Sequence, residues 1–357
     1  MSNRILAINP GSTSTKIAVF DGTNQLFIKN IKHSAEELSH FQHITEQYEF
    51  RNQVISEELT KNQIDLQSIN IVIGRGGLVK PIPSGVYEIN DLMLKHLRMG
   101  YSGDHASNLG GLIACALSQK IGLEHAYIAD PVVVDELSDL ARISGHPNFE
   151  RISIFHALNQ KAIARTFAKE LNKKYEELNL IVVHMGGGIS VGSHQKGKVV
   201  EVNQALDGDG PFSPERSGTL PMNQIIKDCF SGKYTYEEMK KMIVGKGGYM
   251  AYFGHSDALA IEKAAIAGDE KAILIQNAMA YQIAKEIGSA AAVLKGKIDA
   301  ILLTGGLAYG KPLVKEIETY IQWIAPVRVF PGEDEMGALA MNALMILKKE
   351  ITANQYQ

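Results

Sequence analysis

Cysteine is scarce. The 357 residues hold two, Cys115 and Cys229, far apart and each in a stretch of helical pattern. Such a pair supports neither a disulfide framework nor a cysteine metal cluster, so both are read as inert packing residues. Positive charge is not in surplus either: 36 Lys and Arg stand against 39 Asp and Glu, a formal net charge of −3, with no basic block. Nucleic acid is therefore not an expected partner. No apolar run approaches the ~20 residues that cross a bilayer, and no basic segment with an apolar signal core precedes the first strand. No membrane association is expected, and the expected compartment is the cytoplasm. An apolar content of 45% is ordinary for a globular chain, and the length suits about two domains.

Glycine, by contrast, is plentiful at 33 residues, and it marks the turns that matter. Residues 5–20, ILAINPGSTSTKIAVF, read as strand, polar turn, strand, because the apolar runs are short and β-branched and Pro10-Gly11 stops helical continuation. The turn crowds Ser12, Thr13, Ser14 and Thr15 together with Lys16 just behind. Backbone N–H groups around a Gly-containing bend, with hydroxyls and an ammonium, make a phosphate-binding concavity. Residues 179–192, NLIVVHMGGGISVG, repeat the pattern, and each copy continues through another turn into a third strand, at 25–31 and 198–202. The same meander twice predicts two related domains with a cleft between them.

Other candidates sit at strand ends. The strand at 69–73 delivers Arg75 among Gly74, Gly76 and Gly77; a surface ion pair is the bland reading, but the flanking glycines favour a ligand role. A strand at 126–129 ends in Asp130-Pro131, either a Mg²⁺ or phosphate-cleft carboxylate or an Asx turn. His156 opens a helix, where caps and core histidines are common, whereas His184 ends an apolar run just before the turn glycines Gly186, Gly187 and Gly188. The loop 205–221 is too long for a mere connector and offers Arg216 as a second phosphate-binding guanidinium. The strand at 298–303 leads to Thr304-Gly305-Gly306, a seat for adenosine or its phosphates; Gly305 to Lys311 nearly match a P-loop, but Pro312 stands where its hydroxyl belongs. Helices are expected within 35–62, with His33, His40 and His43 solvated, over 224–243, and as two helices within 258–294 whose Ala-rich faces suit packing or a subunit interface. A strand at 327–330 precedes Glu333-Asp334-Glu335 and the last helix, where acidic residues suit the helix dipole.

With Asn9-Pro10-Gly11-Ser12-Thr13-Ser14-Thr15-Lys16 and Val183-His184-Met185-Gly186-Gly187-Gly188 both in view, the chain resembles the acetate/butyrate kinase family along essentially its whole length. The compact Arg75-Gly76-Gly77 and Thr304-Gly305-Gly306-Leu307-Ala308-Tyr309 are similar to its butyrate branch, while Gly187 stands where acetate kinases carry Asn. The resemblance implies an α/β fold of two ribonuclease-H-like domains, each βββαβαβα, as in sugar kinases, Hsp70 and actin. Residues 1–153 with a C-terminal helix at about 335–357 would form the first, and 154–334 the second, nucleotide-binding domain. It further implies ATP/ADP and Mg²⁺ as cofactors, a short-chain carboxylic acid as substrate, reversible acyl phosphate formation, and a homo-oligomer. By the same resemblance Arg75 and Arg216 clamp the transferring phosphoryl group, Asp130 bears on Mg²⁺, and His156 and His184 donate to phosphoryl oxygens. Asn9, Ser12, Ser14 and Lys16 line the cleft, and the C-terminal acidic residue at the metal falls within Pro331-Gly332-Glu333-Asp334-Glu335, which admits more than one alignment, with Glu335 taken as the choice. Gly76 and Gly77 leave room for an acyl tail longer than acetate; acetate, propionate and isobutyrate are the alternative substrates. The other class of reading is a nucleotide switch like Hsp70 or actin, against which two arginines and two histidines argue.

Overall fold

The computed structural model describes residues 3–357. The chain forms two units, Met1–Val134 with Asp334–Gln357, and Asp135–Glu333.

In the first unit β1 (Arg4–Pro10), β2 (Ser14–Asp21) and β3 (Asn24–Lys32) form the expected antiparallel meander. Three further strands follow: β4 (Ile71–Arg75), β5 (Val86–Glu88) and β6 (Tyr127–Ala129). With the closing strand Asn354–Gln355 the order across the sheet is 354–355, β5, β6, β4, β1, β2, β3. The strands β1, β4 and β6 run parallel, so their carboxyl ends lie side by side, the edge at which open α/β sheets carry their sites. Residues 5–10 of β1 are all buried whereas most of β3 is exposed. Burial of consecutive residues means that both sheet faces are covered there. The helices Asn108–Lys120 and Glu335–Leu347 pack on these parallel strands. The first lies so close to β4 that a Cβ on Gly74 would stand 2.2 Å from the carbonyl oxygen of Gly110, and one on Gly110 2.3 Å from that of Arg75.

The second unit repeats the arrangement. Its strands β7 (Asn179–Met185), β8 (Ile189–Gln195), β9 (Lys198–Val202), β10 (Ala300–Gly305) and β11 (Val327–Pro331) take the order β11, β10, β7, β8, β9. Here too a meander is joined by parallel strands on the side of its first member, matching β6, β4, β1, β2, β3. The long helix Glu270–Val293 and the helix Lys311–Ile321 supply a continuous apolar core with β7, β8 and β10.

Several elements differ from expectation. The boundary falls after Val134 rather than at 153, because residues 135–153 bond within the second unit. Ser138 donates its N–H to Val200 at 2.9 Å, Arg151 pairs with Glu201 at 2.7 Å, and Glu136 holds the buried Lys161 ammonium at 2.6 Å. The helix expected over 224–243 is two, Met222–Cys229 and Tyr236–Ile243. Gly232 takes the left-handed conformation between them (φ 73°) and Thr235 opens the second with a capping box. The strands β5 and 354–355 are too short to show a period of two. His33 is buried, not solvated, and Cys229 is exposed, while Cys115 lies half-buried on its helix. Among the described residues no helix is long and apolar enough to cross a membrane.

Candidate active site

In the first unit the turn between β1 and β2 is built by its ends. Pro10 pairs with Thr15 and Asn9 with Lys16, and Gly11 N–H closes the bend on the Ser14 carbonyl at 2.7 Å. Ser12 and Thr13 are exposed at its tip. Beneath it lies a residue that sequence reasoning missed. Arg51, fully buried on the helix Tyr48–Lys61, donates to the carbonyls of Gly11 (2.7 Å), Ser12 (3.0 Å) and Ser14 (3.0 Å). It also donates to Thr15 Oγ1 at 3.1 Å, and Gln47 Oε1 holds the same guanidinium at 2.7 Å. His33 bonds Thr15 Oγ1 at 2.8 Å; burial, then the Arg51 charge, push its pKa down to about 4, so it is neutral at pH 7.

The parallel strand ends gather three of the expected residues. Glu335, first residue of the last helix, receives the Asn9 amide at 2.5 Å and the Arg75 guanidinium at 3.2 Å, and Arg75 also reaches Asn9 Oδ1 at 3.4 Å. Arg75 and Glu335 side chains are 20% and 14% exposed, so the pair is sheltered yet reachable. Asp130 lies one strand over, following Ala129, the partner of Arg75 in the β4–β6 register. It is buried, its backbone is held at φ 37°, and its Oδ1 accepts from Ser84 Oγ (2.6 Å) and Gly85 N–H (2.9 Å). This carboxylate oxygen is thus held by the loop before β5, distant in the chain, and not by the N–H two residues on that an Asx turn would use, while the positive φ of a non-glycine residue is strain of the kind found at functional sites. Gly76 and Gly77 do not open space for a tail: a Cβ on them would stand 2.5 Å from Pro131 Cβ and 2.6 Å from Asn108 Cα. They are there for backbone packing.

In the second unit the β7–β8 turn is again closed locally, Gly186 N–H bonding the Gly188 carbonyl at 3.0 Å. Arg216 lies against it, since a Cβ on Gly188 would stand 1.8 Å from the guanidinium; only glycine permits that approach. Its backbone is pinned by Ser213, whose Oγ accepts from Arg216 N–H (3.1 Å) and donates to the Gly187 carbonyl (2.6 Å). Burial lowers the Arg216 pKa against the opposing pull of Glu215 and Asp207, yet a guanidinium stays charged at pH 7.

His156 and His184 stack, centroids 3.8 Å apart and planes within 12°. His184, on β7, bonds Asn159 Oδ1 through Nδ1 (2.9 Å) and meets Glu333 through Nε2 (3.2 Å). His156 is set by a longer chain. Gln160 Nε2 lies 3.0 Å from the Ser190 carbonyl, which only accepts, so Gln160 Oε1 faces His194 Nε2 at 2.9 Å. Burial, then Lys161 and Arg165, hold His194 well below its ordinary pKa; neutral, it carries its proton on Nε2 and accepts from Tyr175 Oη through Nδ1 at 2.6 Å. Gln160 also donates to Ser190 Oγ (2.8 Å), whose own hydrogen is left for His156 Nδ1 at 2.9 Å. Neutral His156 is thereby held as the tautomer with its proton on Nε2. Thr304 sits beside His184 in the β7–β10 register, and Gly305 takes φ 92° against Met185. After Gly306, a 3₁₀ turn precedes the helix Lys311–Ile321 and borders a cavity of about 190 Å³ lined by Tyr249, Leu259, Glu262, Gln276 and Tyr309.

The structure thus brings Asn9, Arg75 and Glu335 into contact with Asp130 alongside, and separately His156, His184, the Gly186 to Gly188 turn and Arg216. Ser12, Ser14 and Lys16 lie in or next to the first turn. Arg51, Ser213, Gln160 and Ser190 were missed, having no motif of their own; Glu333, beside His184, was passed over for Glu335. Among the described residues no group of three or more His, Cys, Asp or Glu is disposed to hold a metal ion.

Two sheets with the same five-strand order, each with a glycine-containing turn after the first strand of its meander, have the fold of the actin, Hsp70 and sugar kinase superfamily. In solved structures the likeness extends to an acetate kinase of Porphyromonas gingivalis (TM-score 0.79, 17% identity, 97% of this chain and 100% of that one). A propionate kinase of Francisella tularensis subsp. tularensis SCHU S4 is similar as well (TM-score 0.74, 19% identity, 95% and 98%). The chain belongs to the acetokinase family: the family profile matches residues 151–320, and butyrate kinase 2 of Clostridium acetobutylicum is 53% identical over 357 residues, the whole of both chains.

Proposed function

We infer that this chain is a kinase that transfers the γ-phosphoryl group of ATP to a short-chain carboxylate, and we propose butyrate as the acceptor. The observation that carries the reading is the 53% identity to butyrate kinase 2 over the full length of both chains. A carboxylate oxygen attacks the γ-phosphorus in line. The bond to the β-phosphate oxygen breaks, and ADP leaves with the electron pair. No general base is required, because the acid is already ionised at neutral pH. The task is to hold two anions together and stabilise charge on the equatorial oxygens.

We assign that task to Arg75 and Arg216, with Nε2–H of His156 as a donor to phosphoryl oxygens and the stacked His184 as a second donor in its doubly protonated form, since its Nδ1–H is given to Asn159. Asn9, Ser12, Ser14, Lys16 and the Gly186, Gly187, Gly188 turn bind phosphates. Thr304, Gly305 and Gly306 seat the nucleoside, whose base suits the largely apolar cavity beside Tyr309. Mg²⁺ would arrive with the nucleotide, keep most of its waters and meet Glu335. When bound it neutralises phosphate charge. Asp130 would orient the hydrated ion. The enzyme would act in the cytoplasm as a homo-oligomer, which light scattering checks.

The test is MgATP-dependent acyl phosphate formation, trapped as the hydroxamate, across acetate, propionate, butyrate, isobutyrate and valerate. A maximum in kcat/KM at butyrate supports the proposal. A maximum at isobutyrate or acetate moves the acceptor but keeps the chemistry; ATP hydrolysis with no acyl phosphate from any acid would favour a nucleotide switch.

A further inference from the structure

We propose that Arg51 is a positioning residue that shapes the turn of residues 11–14 into a phosphate-binding surface, an inference that rests on the assignment of Ser12, Ser14 and Lys16 to phosphate. A fully buried guanidinium is costly unless its surroundings are built for it. Here they are: Arg51 donates to three carbonyls of the turn, of Gly11, Ser12 and Ser14, at 2.7, 3.0 and 3.0 Å, and to Thr15 Oγ1 and Gln47 Oε1. The remaining carbonyl, of Thr13, accepts the His33 N–H at 2.9 Å. Every carbonyl from Gly11 to Ser14 is therefore drawn to a donor supplied by the protein.

A turn whose acceptors are all spent inward turns its remaining N–H groups and its hydroxyls outward, and an anion approaching them meets no competing carbonyl. The charge of Arg51 is met only by neutral oxygens in these contacts, so it also raises the potential on the outer side of the turn. Its five donors in a planar fork reach carbonyls that a lysine ammonium, a single point of donation, cannot hold together.

The test compares wild type with Arg51→Lys, Arg51→Ala and Gln47→Met, measuring kcat and KM for MgATP and for butyrate per folded molecule, with thermal midpoints alongside. Arg51→Ala is expected to lower kcat/KM for MgATP about 100-fold, Arg51→Lys about tenfold despite its kept charge, and Gln47→Met less, with KM for butyrate unchanged throughout. Guanidinium at sub-denaturing concentration should restore part of the Arg51→Ala loss where potassium chloride at matched ionic strength does not. Unchanged nucleotide parameters in Arg51→Lys and Gln47→Met, whatever their midpoints, would overturn the proposal; these two carry it if Arg51→Ala does not fold. Calorimetric binding of inorganic pyrophosphate keeps the test separate from the functional reading. If wild type makes no acyl phosphate that reading falls, yet weaker pyrophosphate binding in Arg51→Lys still supports Arg51, and equal binding removes it.

Discussion

Replacing Gln160 by leucine removes the one amide that links His194 to Ser190, with little change of volume. Gln160 is fully buried, so the groups it leaves behind cannot turn to water. The Nε2–H of His194 loses its acceptor at 2.9 Å and Ser190 Oγ loses its donor at 2.8 Å. At about 1–3 kcal/mol for each of the two orphaned groups the cost is about 2–6 kcal/mol, which in a domain of this size lowers Tm by ~4–24 °C. The effect on catalysis is separate. Once the Gln160 amide no longer orients the Ser190 hydroxyl, that hydroxyl can rotate to accept from His156 Nδ1–H as readily as it donates to Nδ1, and the tautomer with a proton on Nε2 loses its preference. A preference of about 1.4 kcal/mol corresponds to tenfold, so kcat should fall about tenfold with KM for MgATP within about twofold. Steady-state kinetics at a temperature well below the new midpoint, paired with NMR of the His156 ring nitrogens, read both effects. A large drop in Tm with wild-type kcat and an unchanged ring tautomer would refute the chain as a catalytic device and leave it as core structure.

Arg75→Ala should still bind nucleotide but lower kcat by about 10³-fold, since a guanidinium clamp on a transferring phosphoryl group supplies that order of rate; Glu335→Gln, which keeps the Asn9 contact but not the charge, should chiefly raise the Mg²⁺ concentration needed for half-maximal rate. Gly110→Ala should destabilise by about 3 kcal/mol or prevent folding, because the added carbon meets the Arg75 carbonyl at 2.3 Å, and a chemical denaturation curve measures it. For pH, the His33 pKa is lowered from 6.5 to about 4 in the folded protein. The unfolded chain therefore binds the extra proton between those values, and stability falls as pH drops from about 6.5 towards 4, by on the order of 3 kcal/mol; in His33→Gln the profile of Tm across that window should be flatter.

The meander was legible twice over because short β-branched runs around a glycine turn leave few alternatives, and both copies formed where expected. Arg75, Asp130, His184 and Thr304 were legible as strand-end residues, and their gathering at the parallel edges follows from that position. The helix over 224–243 was misjudged because the exposed turn at Gly232 interrupts no strong apolar stripe. Arg51 was hidden for the opposite reason: within Tyr48–Lys61 it has the look of a solvated helix residue, and only the β1–β2 turn standing over it makes its burial pay. His33 was misplaced with it, and Gly76 and Gly77 were taken for space when Pro131 and Asn108 fill it.

Local sequence, then, determined what is local: the strand-turn-strand units, the residues at their ends, and the turn chemistry suited to phosphate. Tertiary structure alone decided the rest. The partner of a buried guanidinium, the tautomer of a histidine and the closeness of a helix to a strand each depend on groups distant in the chain. Asn9, Arg75 and Glu335 meet only because the last helix returns to the first sheet, and no periodicity within either segment carries that information.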